Sequence, residues 1–155
     1  MGYDVVSRIP DYLDVFLGIA NIEGGLPLAD HLDHAAFDFS LESLHALDAY
    51  LDRLHAASVA RESDAYENVA LAAGIYLGEV IRRLSTAPFR WTNYDDYFAD
   101  KPEKAEVFFA CLGTVALLVT PGGRLTLPIN RIVRYLEEGP ENNTHYYASA
   151  EVVGK

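Results

Sequence analysis

The stretch AYENVALAAGIYLGEVIRRL, residues 65–84, constrains this chain more than any other. Val69, Ala73, Tyr76, Val80 and Leu84 recur at helical spacing, while Leu71, Ala72, Ile75, Leu77 and Ile81 fill most of the remaining directions. A helix that is apolar nearly all round belongs inside a core and not on a surface. Gly74 and Gly78 stand four apart on one face of it. Each glycine costs roughly 1 kcal/mol in helix propensity but lets another backbone come close, so the pair predicts a tight contact. Asp64 with Glu67 makes a capping-box-like start, Arg82 and Arg83 complement the dipole of the last turn, and Thr86-Ala87-Pro88 stops the helix.

Around this helix the chain divides by periodicity. Residues 11–21 place Leu13, Phe16, Leu17 and Ala20 on one face of a short amphipathic helix, with Pro10 suited to its first turn. Glu23-Gly24-Gly25 ends it, and the chain reads as irregular up to Ser40, a candidate N-cap. From 41 to 57 the stripe Leu44, Leu47, Leu51 and Leu54 predicts a surface helix with one buried face, packed on the central helix. Residues 89–93, FRWTN, alternate as a strand, with Phe89, Trp91 and Asn93 on one side. Residues 94–104 read as a loop by their acids and Pro102.

The apolar run at 107–120 predicts a buried strand through Val115, Leu117, Leu118 and Val119, after a segment around Gly113 of open type. Pro121-Gly122-Gly123 is a turn, and 124–127 returns as the second strand of a hairpin. Residues 130–138 form a further helix ended by Gly139-Pro140, and the tail from Glu141 fits either helix or strand. Helices, then strands, then a helix describe one α+β domain over residues 1–155, a central buried helix with flanking helices on a small antiparallel sheet.

The motif Tyr76-Leu77-Gly78-Glu79-Val80 is followed by Ile-Arg-Arg, a tryptophan strand, a hairpin and a helix bearing Pro, Ile and Val. With the preceding LHALDAYLDRL helix, this order resembles small bacterial α+β domains of unknown function, some of them near toxin and immunity systems. The resemblance spans residues 38–139 and implies an α+β fold but no activity.

Composition narrows the function classes. A formal net charge of −11 opposes an electrostatic partnership with nucleic acid or an anionic membrane and favours a basic protein or a cation. Cys111 is the single cysteine, so no internal disulfide exists, and its apolar neighbours Phe109, Ala110 and Leu112 suggest a small core residue. The opening MGYDVVSRIP has no basic segment leading into an apolar run, so no secretory signal is expected, and the cytoplasm is the expected location.

Three constellations carry possible chemistry. His45, Asp48, Asp52 and His55 share one helical stripe, but His45 and His55 are ten residues, about 15 Å, apart, so all four cannot reach one ion. Asp48, Asp52 and one histidine can, and a site needs this cluster to meet Asp30, His31, Asp33 and His34 in space. The bland reading makes both groups solvated surface. Glu79, the one acid between Asn68 and Arg90, lies in the most apolar helix, a candidate buried carboxyl with a raised pKa, or else an ion-pair partner of Arg83 or a structural hydrogen-bonding group. Trp91, Tyr94, Asp95, Asp96 and Tyr97 combine hot-spot aromatics with acids and form the candidate binding patch, though Trp91 and Phe98 also suit a role anchoring the sheet.

There is no nucleophile elbow or phosphate loop. The reading is therefore a non-enzymatic cytoplasmic protein-binding module, immunity-like, with no cofactor and a basic protein as partner. The alternative is a metal-assisted enzyme using His31, His34, His45, Asp48 and Asp52.

Overall fold

The structure, a computed structural model, describes residues 4–101, 103 and 110–153. In chain order the elements are α1 (Ile9–Phe16), α2 (Ser43–Ala57), α3 (Asp64–Leu84), β1 (Arg90–Asn93), α4 (Tyr94–Phe98), β2 (Ala116–Val119), β3 (Leu125–Thr126), α5 (Pro128–Glu138) and α6 (Thr144–Val153). This is an α+β fold with a central helix and a three-stranded antiparallel sheet in the order β1-β2-β3. Among the described residues no helix is long and apolar enough to cross a membrane.

The all-round apolarity of α3 has a direct cause. Every residue from Asn68 to Ile81 is buried. Leu71 and Ile75 face a small core made with Val5, Ile9, Tyr12, Val115, Ala116 and Ile129. Val69, Ala73, Tyr76, Leu77, Val80 and Ile81 face the larger core, which holds the α2 leucines, Phe16, Phe37 and Leu118. One helix thus serves two apolar clusters and has no side left for water. Its start differs from expectation: Ser63, in extended backbone, accepts the N–H of Tyr66 and is the cap, while Asp64 is the first helical residue.

The glycine pair makes two different contacts. A Cβ on Gly74 would stand 2.7 Å from Ile129 Cα, so α5 lies backbone against backbone on α3. A Cβ on Gly78 would instead run into the six-membered ring of Trp91 and come 3.1 Å from Pro128 Cγ, so there the close neighbours are side chains.

Helix α2 buries Leu44, Leu47, Leu51 and Leu54 completely, as the stripe predicts. Its closest helical neighbours, however, are α5 and α6, not α3. It meets α3 through a 2.7 Å hydrogen bond between Ser43 Oγ and the Tyr76 hydroxyl. Ser40 does cap this segment, its Oγ accepting from the N–H of Ser43 at 3.1 Å. Helix α1 is shorter and earlier than expected and buries Ile9, Tyr12, Val15 and Phe16, with Ala20 left exposed beyond its end.

In the sheet, Trp91 pairs with Leu118 and Thr92 with Leu117, and Leu118 pairs with Thr126 across the Pro121-Gly122-Gly123 turn. Of the apolar run expected as a strand, residues 107–109 lie outside the described residues, Leu112–Thr114 form a 3-10 turn, and the strand begins at Ala116. Helix α5 opens with Pro128 in its first turn and ends at Gly139, whose φ of 105° suits glycine. The tail is helical: the Tyr147 hydroxyl bonds Thr126 Oγ1 and accepts from Leu127 N at 3.0 Å, tying α6 to β3.

Candidate functional site

Glu79 is buried on α3, and four donors converge on its carboxylate. Arg82 donates from Nε to Oε2 and from Nη2 to Oε1, each at 2.8 Å. The Trp91 indole N–H donates to Oε2 at 2.8 Å, and Arg83 Nε reaches Oε1 at 3.3 Å. Burial by itself pushes this carboxyl up, but the hydrogen bonds from Arg82 and Trp91 and the two guanidinium charges outweigh it and hold the pKa below the usual glutamate range. The expectation of a raised pKa is therefore corrected: desolvation is offset by neighbours that periodicity identifies only in part. An ionised carboxylate satisfied on both oxygens has no proton to give at neutral pH, so Glu79 is a clamp between α3 and β1.

The clamp also fixes Trp91. Its ring covers Gly78 and its nitrogen is bound to Glu79, so this member of the candidate patch is turned inward and only half-exposed. The other members sit together. Residues expected as a loop form the five-residue helix α4, started where Tyr94 N donates to Val115 O at 3.1 Å and anchored by buried Phe98. Residues 102 and 104 of the expected loop lie outside the described residues. Asp95 and Asp96 occupy the first turn of α4, where the helix dipole favours negative charge, which is one local reason for gathering two acids. Both are exposed and neither has an ion-pair partner among the described residues.

The aromatic members are half-buried. Tyr94 and Phe98 have ring centroids 4.5 Å apart, Tyr97 meets Phe98 edge-on at 4.8 Å, and Lys101 Nζ lies 4.4 Å from the Tyr97 ring centre. Tyr94 and Asp95 also line a cleft of about 520 Å³ together with Arg61, Glu67, Cys111, Leu112 and Val115. Arg61 is already engaged, its Nε 3.0 Å from Glu137 Oε2. Cys111 is exposed on this wall, against the expectation of a core residue. The local cause is the 3-10 turn that follows it: Thr114 Oγ1 accepts the N–H of Cys111 at 3.0 Å and is buried in its place.

The histidine and aspartate clusters do not meet. His31 and His34 are exposed in short 3-10 turns, and Asp33 caps the second of these by accepting from Ala35 N. Asp48 is buried and accepts from Thr144 N at 2.7 Å, Thr144 Oγ1 at 2.6 Å and His145 N at 3.2 Å. Asp52 accepts from the Tyr135 hydroxyl, and His55 Nδ1 donates to Leu136 O. The set His31, His34, His45, Asp48 and Asp52 is thus not brought together at one point: its two aspartates hold helices together, His31 and His34 lie in exposed turns, and His45 is exposed on α2.

Among the described residues one group brings metal-ligating atoms together, Glu42, His45 and His145, all within 4.8 Å of one another. Reading the sequence singled out His45 alone of these. Glu42 at i−3 from His45 was a usable signal, whereas His145 lies a hundred residues away with nothing local to mark it.

Comparison with protein-family models, with curated proteins and with solved structures found no match to this chain.

Proposed function

We propose that this protein is a non-enzymatic, cytoplasmic binding module that receives a basic segment of a partner protein on α4 and in the cleft beside it. The observation that carries the reading is the composition of that cleft: an exposed Asp95 carboxylate without an ion-pair partner among the described residues, beside the Tyr94 ring and the apolar walls of Leu112 and Val115. A lysine or arginine side chain matches all three, its stem against the apolar wall, its cation at the carboxylate and over the aromatic face. Asp96 extends the negative surface, and the net charge of −11 steers basic partners toward it.

The test is binding of a defined lysine- and arginine-rich peptide, with a glutamate-rich peptide of equal length as control, measured at low and physiological salt. Wild type binds the basic peptide with affinity that falls as salt rises, and Asp95→Ala with Asp96→Ala slows association more than it speeds dissociation. Equal kinetics for wild type and the double variant would remove this surface from the function.

A further inference from the structure

We propose that Glu42, His45 and His145 form a binding site for a divalent transition metal of the zinc class. Glu42 and His45 stand at the start of α2, and His145 lies in the first turn of α6. Glu42 Oε1 is 3.8 Å from His45 Nε2 and 3.9 Å from His145 Nε2. The two imidazoles stack with centroids 4.0 Å apart and planes 20° from parallel. Zinc takes imidazole nitrogen and carboxylate oxygen at about 2.0–2.2 Å, which sets ligand atoms around a tetrahedral ion about 3.4 Å apart. Binding therefore needs the two carboxylate–imidazole gaps to close by about half an ångström and the ring nitrogens, which lie within 4.8 Å of each other, to draw together as the rings fan until their lone pairs converge. Glu42 and His45 are exposed, so packing does not hold these two side chains against that adjustment, while His145 is half-buried.

What brings His145 over His45 is Asp48. Three residues along α2 from His45, its buried carboxylate accepts the backbone N–H groups of Thr144 and His145 and the Thr144 hydroxyl. The first turn of α6 is thereby fixed on α2, and the three ligands are held near one another by a bond network to which the backbone N–H of His145 contributes but none of their side chains does. Asp48 is a positioning residue, and its oxygens are taken up by these bonds. Two imidazoles with one carboxylate suit zinc, nickel or copper and not magnesium or calcium, which take oxygen ligands. Three protein ligands leave one tetrahedral position open to water or to a group from a partner. None of these residues lines the α4 cleft, so the inference stands apart from the proposed function.

The experiment uses the full chain without a histidine tag, titrated with zinc chloride by calorimetry and followed by NMR of the histidine ring nitrogens. One zinc per chain is expected, with the His45 and His145 rings perturbed first and excess magnesium failing to compete. His45→Ala and His145→Ala each weaken binding at least about tenfold. His31→Ala binds as wild type does. A wild-type chain whose ring signals and heat do not respond to zinc overturns the proposal, and so does a folded His45→Ala or His145→Ala variant that binds as tightly as wild type.

Discussion

The indole N–H of Trp91 and the carboxylate of Glu79 are joined by a 2.8 Å hydrogen bond, and through it the first strand is tied to the central helix. The same indole ring covers Gly78, one residue before Glu79, so shape and polarity coincide at this point. A glycine admits the ring, and the next residue holds its nitrogen. With Arg82 and Arg83 on the remaining acceptor positions, the carboxylate completes a small buried network.

Glu79→Gln keeps the side-chain volume but replaces the ionic acceptor with an amide that also carries donors facing Arg82 and Trp91. Hydrogen bonds to charged groups contribute about 1.5–3 kcal/mol each, and partners lost inside a network are costly. The expected loss of stability is about 2–3 kcal/mol by denaturant unfolding. A midpoint unchanged from wild type would show that the clamp is not stabilising.

Glu79 also predicts an acid limb. Its native pKa lies below the usual glutamate value, so in the range between the native and unfolded pKa values the unfolded chain binds the extra proton. Stability from this group is complete above the unfolded value of about 4.3 and is lost as pH falls through it and on through the lower native value. Unfolding free energies followed from pH 6 downward should drop more steeply for wild type than for Glu79→Gln. Parallel profiles for the two proteins would contradict this.

The two glycines should respond differently to alanine. Gly74→Ala sets a methyl against the Ile129 backbone, which cannot turn aside, and overpacking of about 1–3 kcal/mol exceeds the roughly 1 kcal/mol gained in helix propensity. Gly78→Ala pushes on the Trp91 ring, which gives way by leaving Glu79, so tryptophan fluorescence shifts at low denaturant while the helix persists. Wild-type emission from Gly78→Ala would disprove the coupling between shape and hydrogen bond.

Asp48→Ala removes the acceptor for two backbone N–H groups and one hydroxyl at the start of α6. Loss of a helix cap costs about 0.5–2 kcal/mol, and leaving the buried Thr144 hydroxyl without this acceptor adds to it. The expected result is faster hydrogen exchange through Thr144–Val153, with the amides of α3 changed far less. Uniform protection across both helices would mean that α6 is held by packing alone.

Tyr76 shows how the stretch between α1 and α2 joins this architecture without an α-helix or strand of its own. Its hydroxyl accepts the N–H of Phe39 at 2.9 Å, and Phe39 sits at a φ of 66°. The rings of Phe16, Phe37 and Phe39 all lie within 5.2 Å of the Tyr76 ring, centre to centre. Arg83 then covers Phe39 at 3.6 Å, which places the stretch read as irregular directly over the core.

Much of the fold was legible in the chain because its signals are local. An apolar helix with no polar face, a leucine stripe at helical spacing and a Pro-Gly-Gly turn each follow from backbone period and sterics within a few residues, and all three stand in the structure. Helix α4 was not legible, since five residues carry too little periodicity to register and its start depends on a bond to Val115, twenty-one residues on. The ionisation of Glu79 was half legible: Arg82 and Arg83 lie within one turn, but Trp91 reaches it only because β1 folds back past Gly78. The stacking of His45 on His145 was not legible at all, because Asp48 joins α2 to α6 across nearly a hundred residues of chain. Helix and turn preferences act over one or two turns and are written into neighbouring residues. Which side chains then meet is decided by how the finished elements bury their apolar faces against one another.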